Sequence, residues 1–308
     1  LEIDSVGSLP MFLNPRAGVI TRQMMWLGNW EPRETYWFVR ARREGDTVVD
    51  LGANVGYFTL IGARLVGDTG HVYAFEPDPE SFALLQRNVR LNGLENVTPL
   101  QMAASNENGS IDLYLSERNL GDHRIYASAD EPRTTVEVEA VRLDDYFEDR
   151  RSEIDFVKID TQGAELAILE GMEAILEASP RLLMNVEYWP RGLQEAGGSH
   201  EALLDLLRRH DFRFFDVSID PIMREVEREE LNAVYAPERG AFTNLFLARG
   251  RETSENLRRR LSVWQGIHAR EPERREDAEE AIRAVEKLLQ LMEPGSADFP
   301  HVVVEVSN

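Results

Sequence analysis

The sequence predicts an α/β fold, a doubly wound, Rossmann-like sheet of seven strands whose last strand is antiparallel. Three observations support this class. Apolar, strand-like segments alternate with helical segments from residue 46 onward, as in a parallel sheet joined by crossover helices. The segment 154–159 is apolar along almost its whole length, which is typical of a strand covered on both faces. A glycine-bearing turn follows the first strand, where open α/β sheets bind their ligands.

The individual elements follow from apolar segments bounded by glycine, proline and polar residues. In the N-terminal segment, Pro32 is placed to open a helix that extends to about Arg43. Strands are then expected at 47–51, 71–75, 97–102, 111–115, 136–141, 154–159, 182–187, 212–217 and 243–248. Helices are expected between them at 57–65, 79–92, 165–177 and 200–210.

The chain is expected to comprise an N-terminal helical and aromatic segment (1–45), an α/β domain (46–250) and a C-terminal helical extension (251–308). In the extension, Ser254 and Pro272 can each begin a helix with apolar residues spaced by three and four. These two helices form a predicted hairpin, which either packs on the core or makes a homodimer contact.

Composition restricts the partners. The 308 residues include 34 Lys and Arg against 55 Asp and Glu, a net charge of −21, which repels nucleic acid and anionic membranes. Without cysteine there is no disulfide framework, thiolate nucleophile or thiolate metal site. The sequence contains no apolar run long enough to span a membrane and shows no secretory signal, so a cytoplasmic location is expected.

The turn after the first strand indicates the kind of ligand. Asp50 lies near the end of that strand, and Gly52 and Gly56 follow four residues apart. Asn54 stands where a dinucleotide-binding G-x-G-x-x-G motif would have its middle glycine. This departure argues against a nucleotide-dependent oxidoreductase. It suits a nucleoside cofactor without a pyrophosphate, namely S-adenosylmethionine.

The second strand ends in Glu76 and Pro77. A carboxylate at the tip of the second strand can accept hydrogen bonds from both ribose hydroxyls of a bound nucleoside. Ala103 and Ala104, just past the third strand, are expected to flank the adenine, because small residues let a flat ring lie against the backbone. Gln101 and Asn106 are both candidates to bind the adenine amino group.

Four sequence blocks in order resemble the FkbM family of S-adenosylmethionine-dependent methyltransferases. They are VDLGANVGYFT (49–59), FEP (75–77), NLGDHRI (119–125) and KIDTQGAE (158–165). The resemblance covers roughly residues 30–250. It implies a methyltransferase domain at 46–250 and S-adenosylmethionine as the cofactor, held by Asp50, Gly52, Asn54, Gly56, Glu76, Pro77, Ala103, Ala104, Asp160 and Gln162.

The resemblance implies methyl transfer to a hydroxyl of a small molecule such as a sugar, glycolipid or polyketide-like metabolite. His123, in the polar connection 116–133, is the first choice for the general base, because histidine titrates near neutrality. Asp160 and Glu187 are further catalytic candidates. Arg124, Trp30 and Gly163 are expected to contact the substrate. No metal is expected. Methylation of nitrogen or of a protein side chain, and a binding module without activity, remain alternatives.

Overall fold

The computed structural model describes residues 6, 8–14, 20–21, 23–24, 28–116, 121–127, 133–217 and 224–250, and the backbone of 302–306. The strands are β1 (Leu9–Leu13), β2 (Thr47–Leu51), β3 (His71–Phe75), β4 (Val97–Leu100), β5 (Ala103–Ala104), β6 (Gly109–Leu115), β7 (Thr134–Val141), β8 (Phe156–Ile159), β9 (Leu183–Tyr188), β10 (Phe212–Asp216), β11 (Arg224–Val226), β12 (Thr243–Arg249) and β13 (Val302–Val306). The helices are α1 (Pro32–Ala41), α2 (Tyr57–Val66), α3 (Pro79–Leu91), α4 (Leu143–Tyr146), α5 (Glu165–Glu170), α6 (Glu173–Ala178), α7 (Pro190–Glu195), α8 (His200–Arg209) and α9 (Arg228–Val234).

The main sheet confirms the predicted α/β class. Its strand order is β11-β10-β12-β9-β8-β2-β3-β4, and the five strands from β9 to β4 run parallel. Strand β12 is antiparallel to both of its neighbours, as expected for the final predicted strand. The sheet has eight strands in the described residues rather than the predicted seven. The additional strand, β11, is a three-residue edge strand, too short to show the period-2 alternation that identifies strands.

Two predicted strands form a small sheet of their own, and one predicted helix is divided. The segments expected as strands at 111–115 and 136–141 pair with each other as β6 and β7, and together with β5 form a separate three-stranded sheet. The helix expected at 165–177 is divided into α5 and α6. At the break, Gly171 packs so closely that a Cβ there would lie 2.0 Å from the backbone oxygen of Ser105. The two short helices therefore bend around this contact.

The main sheet is buried on both faces, as the apolar strands predicted. Alternate side chains of β2 enter different clusters: Val49 packs with helices α5 and α8, whereas Val48 packs with α1, α2 and α3. Ile168 of α5 and Phe38 of α1 are both almost fully buried against the sheet. This three-layer arrangement holds the carboxyl ends of the parallel strands rigidly at one edge.

Strand β1 of the N-terminal segment is hydrogen-bonded to the α/β domain. Helix α1 begins at Pro32, as predicted, and ends at Ala41. Strand β1 pairs antiparallel with β13, a pairing that was not predicted. The side chain of Asn88 in α3 accepts from Phe12 N at 2.6 Å and donates to Phe12 O at 3.0 Å and Val55 O at 2.8 Å. One amide thus links β1 to the turn that follows β2.

The predicted C-terminal helical hairpin lies outside the described residues. Within the described part of the chain, none of the helices has the length and apolar composition needed to cross a bilayer.

Candidate active site

Two adjoining cavities open where the parallel strands end. The smaller cavity has a volume of about 590 Å³, including space open to solvent, and is lined by residues following β2, β3 and β8, by β5 and by part of the segment 121–127. The larger cavity has a volume of about 1300 Å³, measured in the same way, and extends from the turn after β2 toward α1, the end of β9 and the exposed Phe242. Both are lined by Gly52, Asn54, Gly121, Asp160 and Gln162. A ligand can therefore extend from one cavity into the other.

The turn after β2 has a backbone that requires glycine. Gly52 has a φ of 77°, and a Cβ there would lie 2.0 Å from the backbone oxygen of Asp160. Gly56, with a φ of 93°, is the N-cap of α2 and lies behind the cavity linings, against Leu85. Asn54 also has a positive φ, 51°, and its Oδ1 accepts from Val55 N at 2.8 Å. The turn brings the backbones of the first and fourth parallel strands close together at the cavity floor.

Glu76 is the central acid of the smaller cavity. Its Oε2 accepts from Asn54 N at 2.7 Å, and its Oε1 accepts from Asp78 N at 2.9 Å. The side chain is almost fully buried, and burial raises the pKa of Glu76 to about 8 against the opposing effect of these two hydrogen bonds. Each oxygen keeps a lone pair for a further donor. A diol facing Glu76 could donate to both oxygens.

The other walls of the smaller cavity are flat and largely apolar. They are formed by Leu51, Phe75, Pro77, Met102, Ala103, Ala104, Leu113, Ile125 and Ala164. Pro77, Ala103 and Ala104 thus lie where the sequence places the adenosine-binding residues. Gln101 is exposed and Asn106 donates to Glu170, and neither lines either cavity in the described residues. His123, predicted as the base, lies on the wall of this smaller cavity and not among the described residues lining the larger one.

Lys158 is the buried cation of the larger cavity, and sequence reasoning did not assign it a role. Its Nζ lies 2.9 Å from Asp160 Oδ2 and 3.6 Å from Glu34 Oε1, with Nζ 4.6 Å from the centre of the Phe58 ring. These carboxylates raise the pKa of Lys158 above its usual value even though burial opposes them. A lysine within an apolar strand was the available signal, because lysine is almost never fully buried unless it is paired.

Asp50 lies at the floor beside Lys158. Its Oδ2 accepts from Thr59 Oγ1 at 2.6 Å, and the side chain is almost fully buried. Burial raises the pKa of Asp50, while Lys158 and the Thr59 hydroxyl act in the opposite direction. Trp30 and Glu31, at the start of α1, also line this cavity. Trp30 thus lies at the cavity, and its contact with the substrate stays a prediction.

Glu187 and Gln162 form a second polar group in the larger cavity. Gln162 Nε2 donates to both carboxylate oxygens of Glu187 at 3.0 and 3.1 Å and to Asp160 Oδ1 at 3.2 Å. Burial raises the pKa of Glu187 well above its usual value, and the negative charges of Asp160 and Glu165 act in the same direction. The amide of Gln162 thus brings the two predicted catalytic carboxylates, Asp160 and Glu187, to one side of the cavity.

Gly163 does not reach either cavity. Its N–H donates to both oxygens of Glu165, at 3.1 and 3.0 Å, and a Cβ on Gly163 would meet Tyr126 and the backbone of Gly192. The predicted substrate contact at Gly163 is therefore replaced by a structural role. The close packing there requires a residue without a side chain and positions the neighbouring Gln162.

Arg124, for which a substrate contact is predicted, lines the larger cavity. Its Nε donates to Asp122 Oδ1 at 2.7 Å, its Nη1 lies 3.3 Å from Glu195 Oε2, and its guanidinium carbon lies 4.8 Å from the centre of the Trp189 ring. Trp189 follows β9 and was not among the predicted site residues. Stacking on Trp189 and ion pairing fix the guanidinium at the cavity wall.

The smaller cavity fits an adenosyl group. It offers a buried carboxylate for a diol and small residues and apolar walls for a ring. It also offers the buried Nε2 of His123, which has no hydrogen-bond partner within the described parts of the chain. Asp50 and Asp160 line the adjoining larger cavity, which the rest of the cofactor would face. In the described residues, no group of three or more histidine, aspartate or glutamate side chains is arranged to hold a metal ion.

Comparison with known proteins agrees with this geometry. The model of the methyltransferase FkbM domain matches residues 50–214, more than half of the chain. Methyltransferase 1 of Beauveria bassiana is 28% identical over 145 residues, which cover 41% of this chain and 58% of that protein. The match thus spans less than two thirds of the Beauveria protein. The 31-O-demethyl-FK506 methyltransferase FkbM of Streptomyces tacrolimicus is 29% identical over 226 residues, covering 62% of this chain and 81% of that protein.

Among solved structures, the SAM-dependent methyltransferase from Aquifex aeolicus superposes with a TM-score of 0.39 at 16% identity, covering 75% of this chain and 93% of its own. The extent of the family match decides the assignment. The chain belongs to the FkbM family of methyltransferases, and its cofactor is S-adenosylmethionine.

Proposed function

We propose that the protein transfers a methyl group to a hydroxyl oxygen of a small, non-anionic molecule bound in the larger cavity. The observation that carries the proposal is that the two cavities adjoin and share Gly52, Asp160 and Gln162 in their linings. An adenosyl group held by Glu76 leaves the larger cavity for the acceptor. When bound, S-adenosylmethionine supplies an electrophilic methyl group on a sulfonium.

The lining of the larger cavity indicates the chemistry of the acceptor. Its outer part is aromatic, with Trp30, Trp189 and the 56%-exposed Phe242. Its inner part carries more carboxylates than cations, and the cations Lys158 and Arg124 are already paired with acids. An anionic acceptor would meet this excess of negative charge without a free counterion. A molecule with an apolar face and neutral hydroxyl groups fits both parts of the cavity.

Glu187 is the residue we assign as the general base. It lies in the larger cavity, its carboxylate is held by Gln162, and its raised pKa makes it a stronger base than an ordinary glutamate. Asp160 shares the Gln162 amide but is also paired with Lys158 at 2.9 Å, so we assign it to orienting the other groups. In this scheme Glu187 accepts the hydroxyl proton, and Lys158 balances the charge of the neighbouring acids.

The assignment to oxygen is supported by one relative, which is named as a 31-O-demethyl-FK506 methyltransferase. The net charge of −21 supports a small-molecule acceptor over a nucleic acid, because long-range repulsion would oppose binding of a polyanion. Methylation of nitrogen is the competing outcome that the experiment must detect.

The experiment incubates the protein with S-adenosylmethionine and matched acceptors of one carbon skeleton bearing a hydroxyl, an ammonium or a carboxylate group. Formation of S-adenosylhomocysteine is followed by mass spectrometry, together with the gain of one methyl group by the acceptor. The proposal expects transfer to the hydroxyl series. Transfer only to the amine, to the carboxylate, or to added protein or RNA would refute it.

A variant tests the base. Replacing Glu187 with glutamine should lower turnover by about 10²–10⁴-fold, because a positioned general base contributes a factor of that size. Binding of S-adenosylhomocysteine should remain. Glu170→Gln is the matched control, since Glu170 lies outside both cavities and pairs with Asn106. Equal turnover in the two variants would remove Glu187 from this role.

A further inference from the structure

The side chain of His123 occupies an unusual position for a loop histidine. It is only 9% exposed, although it lies in the short described segment 121–127, and it forms part of the wall of the smaller cavity. The same wall contains Glu76, Ala103 and Ala104. His123 is therefore directed at the space that fits the adenosyl group and away from the acceptor cavity described above.

Hydrogen bonding determines which ring nitrogen of His123 carries the proton. The backbone N–H of Ser116 donates to Nδ1 at 3.0 Å, so Nδ1 must be an unprotonated acceptor. Burial lowers the pKa of His123 from its usual value, while the positive charge of Arg133 acts in the same direction and the acids Asp78 and Asp122 oppose it. In the neutral ring the hydrogen is then on Nε2.

Nε2 is buried and has no hydrogen-bond partner among the described residues. The nearest acid oxygen, Asp78 Oδ2, is 3.8 Å away and accepts from Ser81 N at 2.8 Å as the cap of α3. A buried donor without an acceptor carries a substantial desolvation cost. An acceptor that enters the smaller cavity would remove this cost.

The segment around His123 is held in place independently of any ligand. Arg124 exchanges backbone hydrogen bonds with Tyr114, at 2.7 and 3.1 Å. Asp122 accepts from Arg124 at 2.7 Å and from Arg133 at 2.6 Å. These contacts attach the segment to β6 and to the residue just before β7. The imidazole is thus presented to the cavity by an anchored backbone.

We propose that His123 is a cofactor-binding residue whose Nε2–H donates a hydrogen bond to the adenosine moiety of S-adenosylmethionine. In this role it complements Glu76, which lines the same cavity and accepts from the ribose. The proposal replaces the prediction of His123 as the general base. It does not depend on the identity of the acceptor, so it can be tested independently of the proposed reaction.

The test uses two variants that separate the two ring nitrogens. In His123→Asn the side-chain oxygen can occupy the position of Nδ1 and keep the Ser116 hydrogen bond, but the chain ends short of Nε2. In His123→Gln the amide nitrogen can reach the position of Nε2 and donate. The matched control is His71→Ala, which removes a half-buried histidine at the other end of the sheet, where it pairs with Thr98.

Dissociation constants are measured by calorimetry for S-adenosylhomocysteine and for 5′-methylthioadenosine, which lacks the amino-acid end. We expect His123→Asn to weaken binding of both ligands by about tenfold, the effect of one hydrogen bond. His123→Gln should stay within about threefold of the wild type, and His71→Ala should be unchanged. Thermal melts without ligand check that each variant is folded.

The proposal is overturned if His123→Asn binds 5′-methylthioadenosine with the wild-type affinity. Weakened binding of S-adenosylhomocysteine with normal binding of 5′-methylthioadenosine would also overturn it, because the contact would then be to the amino-acid end. An equal loss in the Asn and Gln variants would assign the effect to loop structure and overturn the donor role. A loss in the Asn variant that Gln restores would support it.

Discussion

The raised pKa of Glu76 makes adenosine binding dependent on pH. In the ligand-free protein this pKa is about 8, so the carboxyl group is mostly protonated at pH 7. A ribose diol that donates to both oxygens favours the ionised form, which already accepts from Asn54 N and Asp78 N. Binding below pH 8 must therefore release a proton. We expect affinity to increase as the pH rises through 8.

The size of this effect follows from the pKa. At pH 7, one unit below this pKa, ionising the Glu76 carboxyl group costs about 1.4 kcal/mol. The dissociation constant at pH 7 should therefore be about tenfold larger than at pH 9. About 0.9 protons should be released per ligand at pH 7. The lowered pKa of His123 leaves that ring neutral throughout this range, so it does not contribute.

The assay is calorimetric titration with 5′-methylthioadenosine, which carries no group that titrates between these pH values. Repeating it in buffers of different ionisation enthalpy gives the number of protons released. In Glu76→Gln the pH dependence should disappear, and affinity at pH 9 should fall by about 1.5–3 kcal/mol. A wild-type dissociation constant that is constant from pH 7 to 9, with no proton release, would refute the reasoning.

Glu76 also makes the stability of the protein depend on pH, but the free energy of unfolding falls with rising pH whereas ligand affinity rises. Because the folded-state pKa of Glu76 is raised, its contribution is fully present below the unfolded pKa and is lost as the pH rises through 8. The free energy of unfolding without ligand should decline between about pH 5 and 8. Urea denaturation at pH 6 and pH 8, with and without 5′-methylthioadenosine, measures both effects.

Three further substitutions test the site. Gly52→Ala should destabilise the protein by more than about 2 kcal/mol, because its Cβ would lie 2.0 Å from a backbone oxygen at a φ of 77°; Gly93→Ala, at a φ of 61° with no atom within 4 Å, is the control in urea denaturation, and equal losses would contradict the steric argument. Lys158→Met should lower the free energy of unfolding at pH 7 by about 3–5 kcal/mol, because it leaves buried carboxylates unpaired. A decrease of less than about 1 kcal/mol would show that the protein does not need this pairing. Phe242→Ala should raise the acceptor KM and leave the melting temperature unchanged, because the ring is 56% exposed at the cavity mouth; an unchanged KM would place the acceptor elsewhere.

Local sequence signals were sufficient where an element has clear boundaries. Strands 47–51 and 71–75 were predicted with the observed limits, since glycines and charged residues precede them and Gly52 and Glu76 follow. The placement of Glu76 in a cavity followed from the general geometry of parallel sheets. These predictions needed only neighbours in sequence.

Predictions that required distant contacts were less successful. The break at Gly171 depends on the backbone of Ser105, and Lys158 has, besides its near neighbour Asp160, the counterion Glu34. Neither Ser105 nor Glu34 is near its partner in sequence. His123 was recognised as a titratable loop residue. Its position in the smaller rather than the larger cavity, however, depends on the backbone pairing of Arg124 with Tyr114. That pairing cannot be derived from the composition of the loop.

The amide of Asn88 has a consequence for where this protein can be shortened. A cut at the predicted boundary between residues 45 and 46 would remove Phe12, which shares that amide with Val55 of the glycine turn. It would also remove Glu34, a counterion of Lys158. Phe12 and Glu34 therefore brace the cofactor turn from outside the predicted domain, and a shortened protein that still holds an adenosyl ligand firmly must keep both residues.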